Sequence, residues 1–239
     1  MSLPTEISPN PLINSTVEIR FKSSLSEDEV LSTFFPIFSK NFPKLKDRKI
    51  PSGIKQQDND IKYAASYIFS NEKYSVFVDN NVIAFENVND YQFWKNYFPV
   101  IKEYLTILKQ ANIVTEIERI GVRYSSLFEN KQSFSEILTI NIKFPYPDYT
   151  ESNYHFRTEL RKDNILLLLQ LSQNATIVQN SIVKTGIFID IDASATYDLP
   201  LSINQDLFNL IEKLHHEEKQ LFFSLINSDF LATLKPKYN

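Results

Sequence analysis

Apolar and polar residues alternate from Thr16 to Lys22. Val17, Ile19 and Phe21 fall on one side, and Glu18, Arg20 and Lys22 on the other. A period of two predicts a half-buried strand. Ser26 and Glu29 then form a capping box ahead of Val30, Leu31, Phe34, Phe35 and Phe38, which predicts a helix that Pro36 kinks or splits. Residues 43–60, with Pro43, Pro51 and Gly53, read as a polar, lysine-bearing loop. Three strands are expected at 61–70, 73–79 and 82–87. Their links, Ser70-Asn71-Glu72 and Asp79-Asn80-Asn81, are short enough for hairpins. Asp90 opens a helix to about residue 110 with Trp94, Phe98, Ile101, Leu105 and Leu108 on one stripe and Pro99 inside it. A strand at Glu116–Ser126 follows.

The remainder repeats this grammar. Ser133 and Glu136 cap a short helical turn, and strands are expected at 139–144, 154–162, 165–172 and 182–194. A last helix from Ser202 or Asn204 carries Leu207, Leu210, Ile211, Leu214, Leu221, Phe222 and Leu225. Consecutive strands with short links pair antiparallel. The expected fold is therefore α+β: an antiparallel sheet in two similar β-rich lobes, with helices packed on one face. The lobes are residues 1–130 and 131–239, or one continuous domain. The phrases FFPIF at 34–38 and YFPVI at 97–101 echo one another.

Composition acts mainly by exclusion. The three glycines, Gly53, Gly121 and Gly186, are too dispersed to write a phosphate-cradling loop or a dinucleotide fingerprint. Without cysteine there is no disulfide, no thiolate nucleophile and no Cys-ligated zinc. A net charge of −4 gives nucleic acid no electrostatic reason to bind. The densest apolar run, Ile165–Leu169, falls far short of the roughly 20 residues that span a bilayer. The N-terminus shows no basic start or long apolar core. The chain is expected to be cytoplasmic, away from membranes and without a cofactor.

Charge placement on the strands is the most informative feature. Ile120, Val122 and Tyr124 share one face of their strand, with Arg119, Gly121 and Arg123 opposite. His155, Arg157, Glu159 and Arg161 line one face of the next charged strand. Asp190 and Asp192 stand opposite Ile187, Ile189 and Ile191. Charged rows opposite apolar rows form a second surface, either solvated and cross-paired or facing a partner. Gly121 is expected to leave a gap between two guanidinium groups, where a carboxylate or phosphate would fit.

Other candidates are weaker. Asp190 and Asp192 resemble a D-x-D metal pair but lack a nucleotidyltransferase context, and they read as ion-pair partners for Arg119, Arg123 or Arg157. His155 shares a face with Glu159. Adjacent His215 and His216 diverge by about 100° on a helix and do not chelate together. Lys44, Lys46, Arg48 and Lys49 form a basic loop patch. No G-x-S-x-G elbow is present. The candidate partner- or ligand-binding residues are thus Arg119, Gly121, Arg123, Arg157, Glu159, Asp190 and Asp192, with no catalytic or metal residue assigned.

Several segments carry a family resemblance: Asn10-Pro11-Leu12-Ile13, the strand Val17–Phe21, the helix with Trp94 and Phe98, Arg119-Ile120-Gly121-Val122-Arg123-Tyr124, and Leu214-His215 leading to Phe222-Phe223. Together they resemble a sporadically distributed bacterial family of uncharacterised proteins whose hallmark is an R-I-G-L-R-Y-like strand. The chain departs at Ser125-Ser126, where that family often continues with Asn. The resemblance implies no activity. The family's patchy distribution is like that of toxin–antitoxin and phage-defence genes. The leading expectation is a non-enzymatic protein-binding component of antitoxin, immunity or phage-defence type. Its partner would be encoded by a neighbouring gene or be a second copy of the chain. A small-molecule or nucleotide sensor using Arg119 and Arg123 is the second reading. A metal-dependent nucleic-acid enzyme using Asp190 and Asp192 is the third.

Overall fold

The alternating segments become hydrogen-bonded strands in the computed structural model, which describes residues 3–51, 54–55, 61–88, 91–140, 153–179, 181–200 and 202–238. The strands are β1 (Leu12–Ser23), β2 (Lys44–Asp47), β3 (Tyr67–Ser70), β4 (Tyr74–Val78), β5 (Val82–Asn87), β6 (Val114–Glu129), β7 (His155–Lys162), β8 (Ile165–Gln179) and β9 (Ile182–Ala195). Among the described residues the helices are α1 (Val30–Phe38), α2 (Trp94–Gln110), α3 (Phe134–Ile137), α4 (Gln205–Leu225) and α5 (Ser228–Thr233). The nine strands form one antiparallel sheet in the order β2-β3-β4-β5-β1-β6-β9-β8-β7, and the fold is α+β.

Local chemistry explains several boundaries. The Ser26 amide and hydroxyl both donate to Glu29 Oε2, at 2.9 and 2.7 Å, ahead of α1. The Ser133 amide donates to Glu136 Oε1 at 2.9 Å ahead of α3. Asn71 Oδ1 accepts from the amides of Lys73 and Tyr74, which closes the β3–β4 hairpin. Pro36 and Pro99 stand inside α1 and α2, which run through them unsplit.

Several boundaries differ from the sequence pattern. The expected loop at 43–60 contains β2, paired from Lys44↔Ser70 to Asp47↔Tyr67. All four β2 side chains are exposed, so no apolar alternation marks it. The strand expected at 61–70 starts only at Tyr67, because residues 61–63 form a turn. The helix expected from Asp90 begins at Trp94. Asp90, Gly53 and residues 141–144 of an expected strand lie outside the described residues. Thr139 is not in a strand; its amide donates to Leu225 O at 2.8 Å. Among the described residues no helix is long and apolar enough to cross a membrane.

The chain divides into two compact units, Asn14–Val122 with Ser194–Leu214, and Met1–Ile13 with Arg123–Ala193 and His215–Asn239. In the first unit Val17, Ile19 and Phe21 are wholly buried. The core there is aromatic. The Phe38 ring lies 4.9 Å from Tyr104, 5.6 Å from Phe69 and 5.9 Å from Phe42, within the range where offset or edge packing adds to burial. In the second unit Ile187, Ile189 and Ile191 of β9 join Leu169 and Leu171 of β8 in the core. Each such side chain contributes roughly 1.5–3 kcal/mol on burial. Phe128 of β6 stacks on Phe222 of α4 and meets Phe230 of α5 edge-on.

Candidate functional site

Burying the isoleucines at 187, 189 and 191 forces Asp190 to the opposite side of β9. The same alternation on β6 turns Arg123 and Ser125 away from the core side that holds Tyr124. These residues meet. Arg123 Nε and Nη2 donate to Asp190 Oδ1 and Oδ2 at 2.8 and 3.0 Å. Ser125 Oγ donates to Oδ1 at 2.6 Å, and Gln170 Nε2 from β8 donates to Oδ2 at 3.0 Å. Asp190 is fully buried, whereas 53% of the Arg123 side chain is exposed. A forked guanidinium on a buried carboxylate is the strong form of ion pair, because each charge is both neutralised and hydrogen-bonded.

Four donors fill the lone-pair positions of the Asp190 carboxylate. It therefore ties β6, β9 and β8 together and has no acceptor left for a hard cation. Asp192, two residues on along the same row, is half-buried. Among the described residues no group of three acidic or histidine side chains is placed to hold a metal. The ion-pair reading of Asp190 holds for Arg123.

β7 presents the other predicted residues at the edge of the sheet. Glu159 lies between Arg161, at 2.8 Å, and Arg157, at 3.7 Å. All three side chains are well exposed, from 40% for Glu159 to 63% for Arg161. Pairing sets Arg157 opposite Gln170 and Glu159 opposite Leu168. Arg157 thus stands beside the strand position that supplies Gln170 to Asp190. His155 engages Ser172 Oγ at 2.8 Å rather than forming an acid–base pair with Glu159.

Arg119 and Gly121 belong to a separate cluster inside the first unit. Glu18 Oε1 accepts from Arg20 Nε at 2.7 Å and from Arg119 Nη1 at 2.9 Å. The Arg20 guanidinium sits 4.4 Å over the Tyr63 ring, and the Tyr63 hydroxyl donates to Glu118. The Arg119 guanidinium lies directly over Gly121 and occupies the space that a Cβ would take. The gap expected at Gly121 is filled by its own neighbour. The seven predicted residues thus fall into two groups, one in each unit.

Three features escaped the sequence pattern. Gln170 is a lone polar residue in the run Ile165–Leu171, and that break in an apolar strand was the available signal. Glu218 occupies the core-facing stripe of α4, in step with Leu207, Ile211, Leu214 and Leu225, and is buried. Burial pushes its carboxyl well above the usual glutamate range; the charge of Lys219 opposes this in part, and the charge of Asp190 adds a lesser push upward. In the first unit an open groove of about 650 Å³ is lined by Trp94, Phe98, Lys102, Phe208 and Glu212. Lys102 Nζ already sits over the Phe98 and Phe208 rings, at 5.3 and 5.4 Å. The basic patch is spoken for in part: Lys44 pairs with Glu72 at 2.6 Å, and Arg48 donates to Ala65 O.

No family model matches this chain, and no curated protein matches it.

Proposed function

We propose that the protein is a non-enzymatic protein-binding component, and that its contact surface is the polar side of β6, β9, β8 and β7 in the second unit. One observation carries the reading. Asp190 is saturated from within the unit, so it supports the surface, while the side chains of Arg123, Arg157 and Arg161, ion-paired within the unit, each stay more than half exposed on that side of the sheet. Arginine is enriched at protein interfaces because its planar fork reads carboxylates and stacks on apolar surface. A scaffold that already fixes the backbone beneath these side chains lowers the ordering cost of association. The antitoxin, immunity or phage-defence setting implied by the R-I-G-x-R-Y resemblance suits such a module.

Two features of the same geometry weigh against the alternatives. An anion pocket at Gly121 would have to displace Arg119 from Glu18, and a divalent metal at Asp190 would have to displace four donors. The test is affinity capture of the tagged chain from cells that express it with its neighbouring genes. A defined partner is expected, and it is lost in the R157E/R161E variant at unchanged melting temperature. Equal capture by that variant overturns it.

A further inference from the structure

β7 closes one end of the nine-stranded sheet, and among the described residues no strand lies beyond it. It pairs with β8 without interruption from His155↔Ser172 to Lys162↔Ile165. The Gln173 amide donates to Tyr154 O at 2.9 Å, so Tyr154 and Gln173 form a hydrogen-bonded pair. Such pairs alternate along an antiparallel ladder. Tyr154, Phe156, Thr158, Leu160 and Lys162 therefore direct their backbone groups to β8, and His155, Arg157, Glu159 and Arg161 turn theirs outward. The outer edge is an unbroken run of eight residues, long enough to receive another strand.

This edge is complementary to itself. A two-fold axis sets a strand against its own reverse. With the axis at Thr158, Thr158 meets Thr158, Arg157 meets Glu159 and Phe156 meets Leu160, the last two pairs each occurring twice. Arg157 and Glu159 then match charge on the polar side. On the other side Phe156, packed against the core, would cover Leu160, which is otherwise 41% exposed. Opposite charges, aromatic–aliphatic contacts and paired threonines are the favourable cross-strand combinations. The outer pairs set His155, engaged with Ser172 Oγ, beside Arg161. An axis at Glu159 instead sets glutamate on glutamate and Arg157 on Arg161. An axis at Leu160 matches Glu159 with Arg161 but pairs only Thr158–Lys162, because β7 ends there. β2, the other terminal strand, behaves differently: an axis at Leu45 sets Lys44 on Lys46, and one at Lys46 sets that lysine on itself. Like charges placed that way keep an edge unpaired.

We infer that two copies of this chain join edge to edge through β7, antiparallel, with Thr158 facing Thr158 across the two-fold axis. Charge selects both the occupant and the register. Affinity comes from the backbone: the four outward-facing residues of each copy exchange about eight hydrogen bonds in all. Backbone pairing rather than a broad buried face holds such a contact, so dimerisation is concentration-dependent. The contact uses the rim of β7 and goes beyond the proposed heterologous surface, which is the polar side of the strands.

Sedimentation of the purified chain from about 1 μM to about 500 μM brackets weak association. The wild type is expected to move from the 27.9 kDa monomer towards twice that mass as concentration rises. R157E sets glutamate against Glu159 of the second copy, and E159R sets arginine against its Arg157, so each variant is expected to stay monomeric. The exchanged variant R157E/E159R restores the match and is expected to dimerise again, which a general loss of folding would not do. Because the chain has no cysteine, cross-linking gives a second readout. Opposed residues of a non-hydrogen-bonded pair lie roughly 4.5 Å apart at Cα, within disulfide reach. T158C is therefore expected to form a linked dimer on mild oxidation at least about tenfold faster than K162C, whose exposed position lies opposite Tyr154 instead of itself. A wild type that remains monomeric throughout overturns the inference and leaves the edge to a different strand. So would dimers unaffected by R157E and E159R, an exchanged variant that stays monomeric, or equal cross-linking of T158C and K162C. These runs contain no other protein, so they succeed or fail independently of partner capture.

Discussion

Arg123 holds both carboxylate oxygens of Asp190, yet about half of the arginine side chain remains at the surface while the aspartate is completely enclosed. The pair is thus asymmetric. Losing Asp190 leaves Ser125 and Gln170 without their acceptor, whereas losing Arg123 leaves a buried carboxylate without its counter-charge. Asp190→Asn turns part of the acceptor set into donors facing donors, and should cost about 3 kcal/mol of folding stability in urea titration. In a double-mutant cycle Arg123 and Asp190 should couple by about 1–3 kcal/mol. Millimolar Mg²⁺ should leave the wild-type melting temperature unchanged, because the carboxylate is already full.

The two glycines on neighbouring strands should respond differently to alanine. A Cβ at Gly186 would run into the backbone carbonyl of Phe128, which cannot move without shifting β6. Gly186→Ala should therefore destabilise by about 1–3 kcal/mol. At Gly121 the obstacle is the far end of the Arg119 side chain, which can swing aside, so Gly121→Ala should stay within about 1 kcal/mol of wild type. Paired urea titrations give both values.

Glu218 makes stability depend on pH in a direction opposite to most carboxylates. Its folded-state value is raised, so the folded chain keeps a proton that the unfolded chain has released. That contribution is fully present below the ordinary glutamate value of 4.5 and is lost as pH rises through the raised one. Glu218→Gln should remove the loss, so the variant should gain on wild type as pH increases from about 4.5. Urea titrations across that range check it; parallel profiles would count against it.

His215, packed 5.5 Å from the Tyr124 ring, works on the acid side. Burial, with the nearby charges of Lys219 and His216, lowers it from 6.5 to about 3. The unfolded chain then binds the proton first. The contribution is present above pH 6.5 and is lost as pH falls towards about 3. His215→Phe should flatten the acid limb of the stability profile over that window, measured by the same titrations.

The parts of the fold that read clearly from the chain are those where burial is one-sided. Val17, Ile19 and Phe21, or Ile187, Ile189 and Ile191, announce a strand because one face is oily and the other is not. β2 carried no such mark, since Lys44–Asp47 is exposed on both faces and exists only because β3 supplies its ladder. For the site, alternation correctly sent Arg123 and Asp190 to the side away from the core. It could not show that Ser125 and Gln170 would complete the carboxylate, because that needs strand order. Nor could it show that Arg119 would fold back over Gly121, since a rotamer leaves no periodic trace. Glu218 was hidden by its own stripe, where a single acid among leucines reads as one more helical position.

Backbone hydrogen exchange on the purified chain, alone and with its captured partner, tests the proposed contact surface most directly. Partner binding is expected to slow exchange in peptides covering His155–Lys162 and the Arg123–Ser125 stretch, while those covering Trp94–Ile107 stay as they were. Protection confined to the α2 groove, with β7 unchanged, would contradict it.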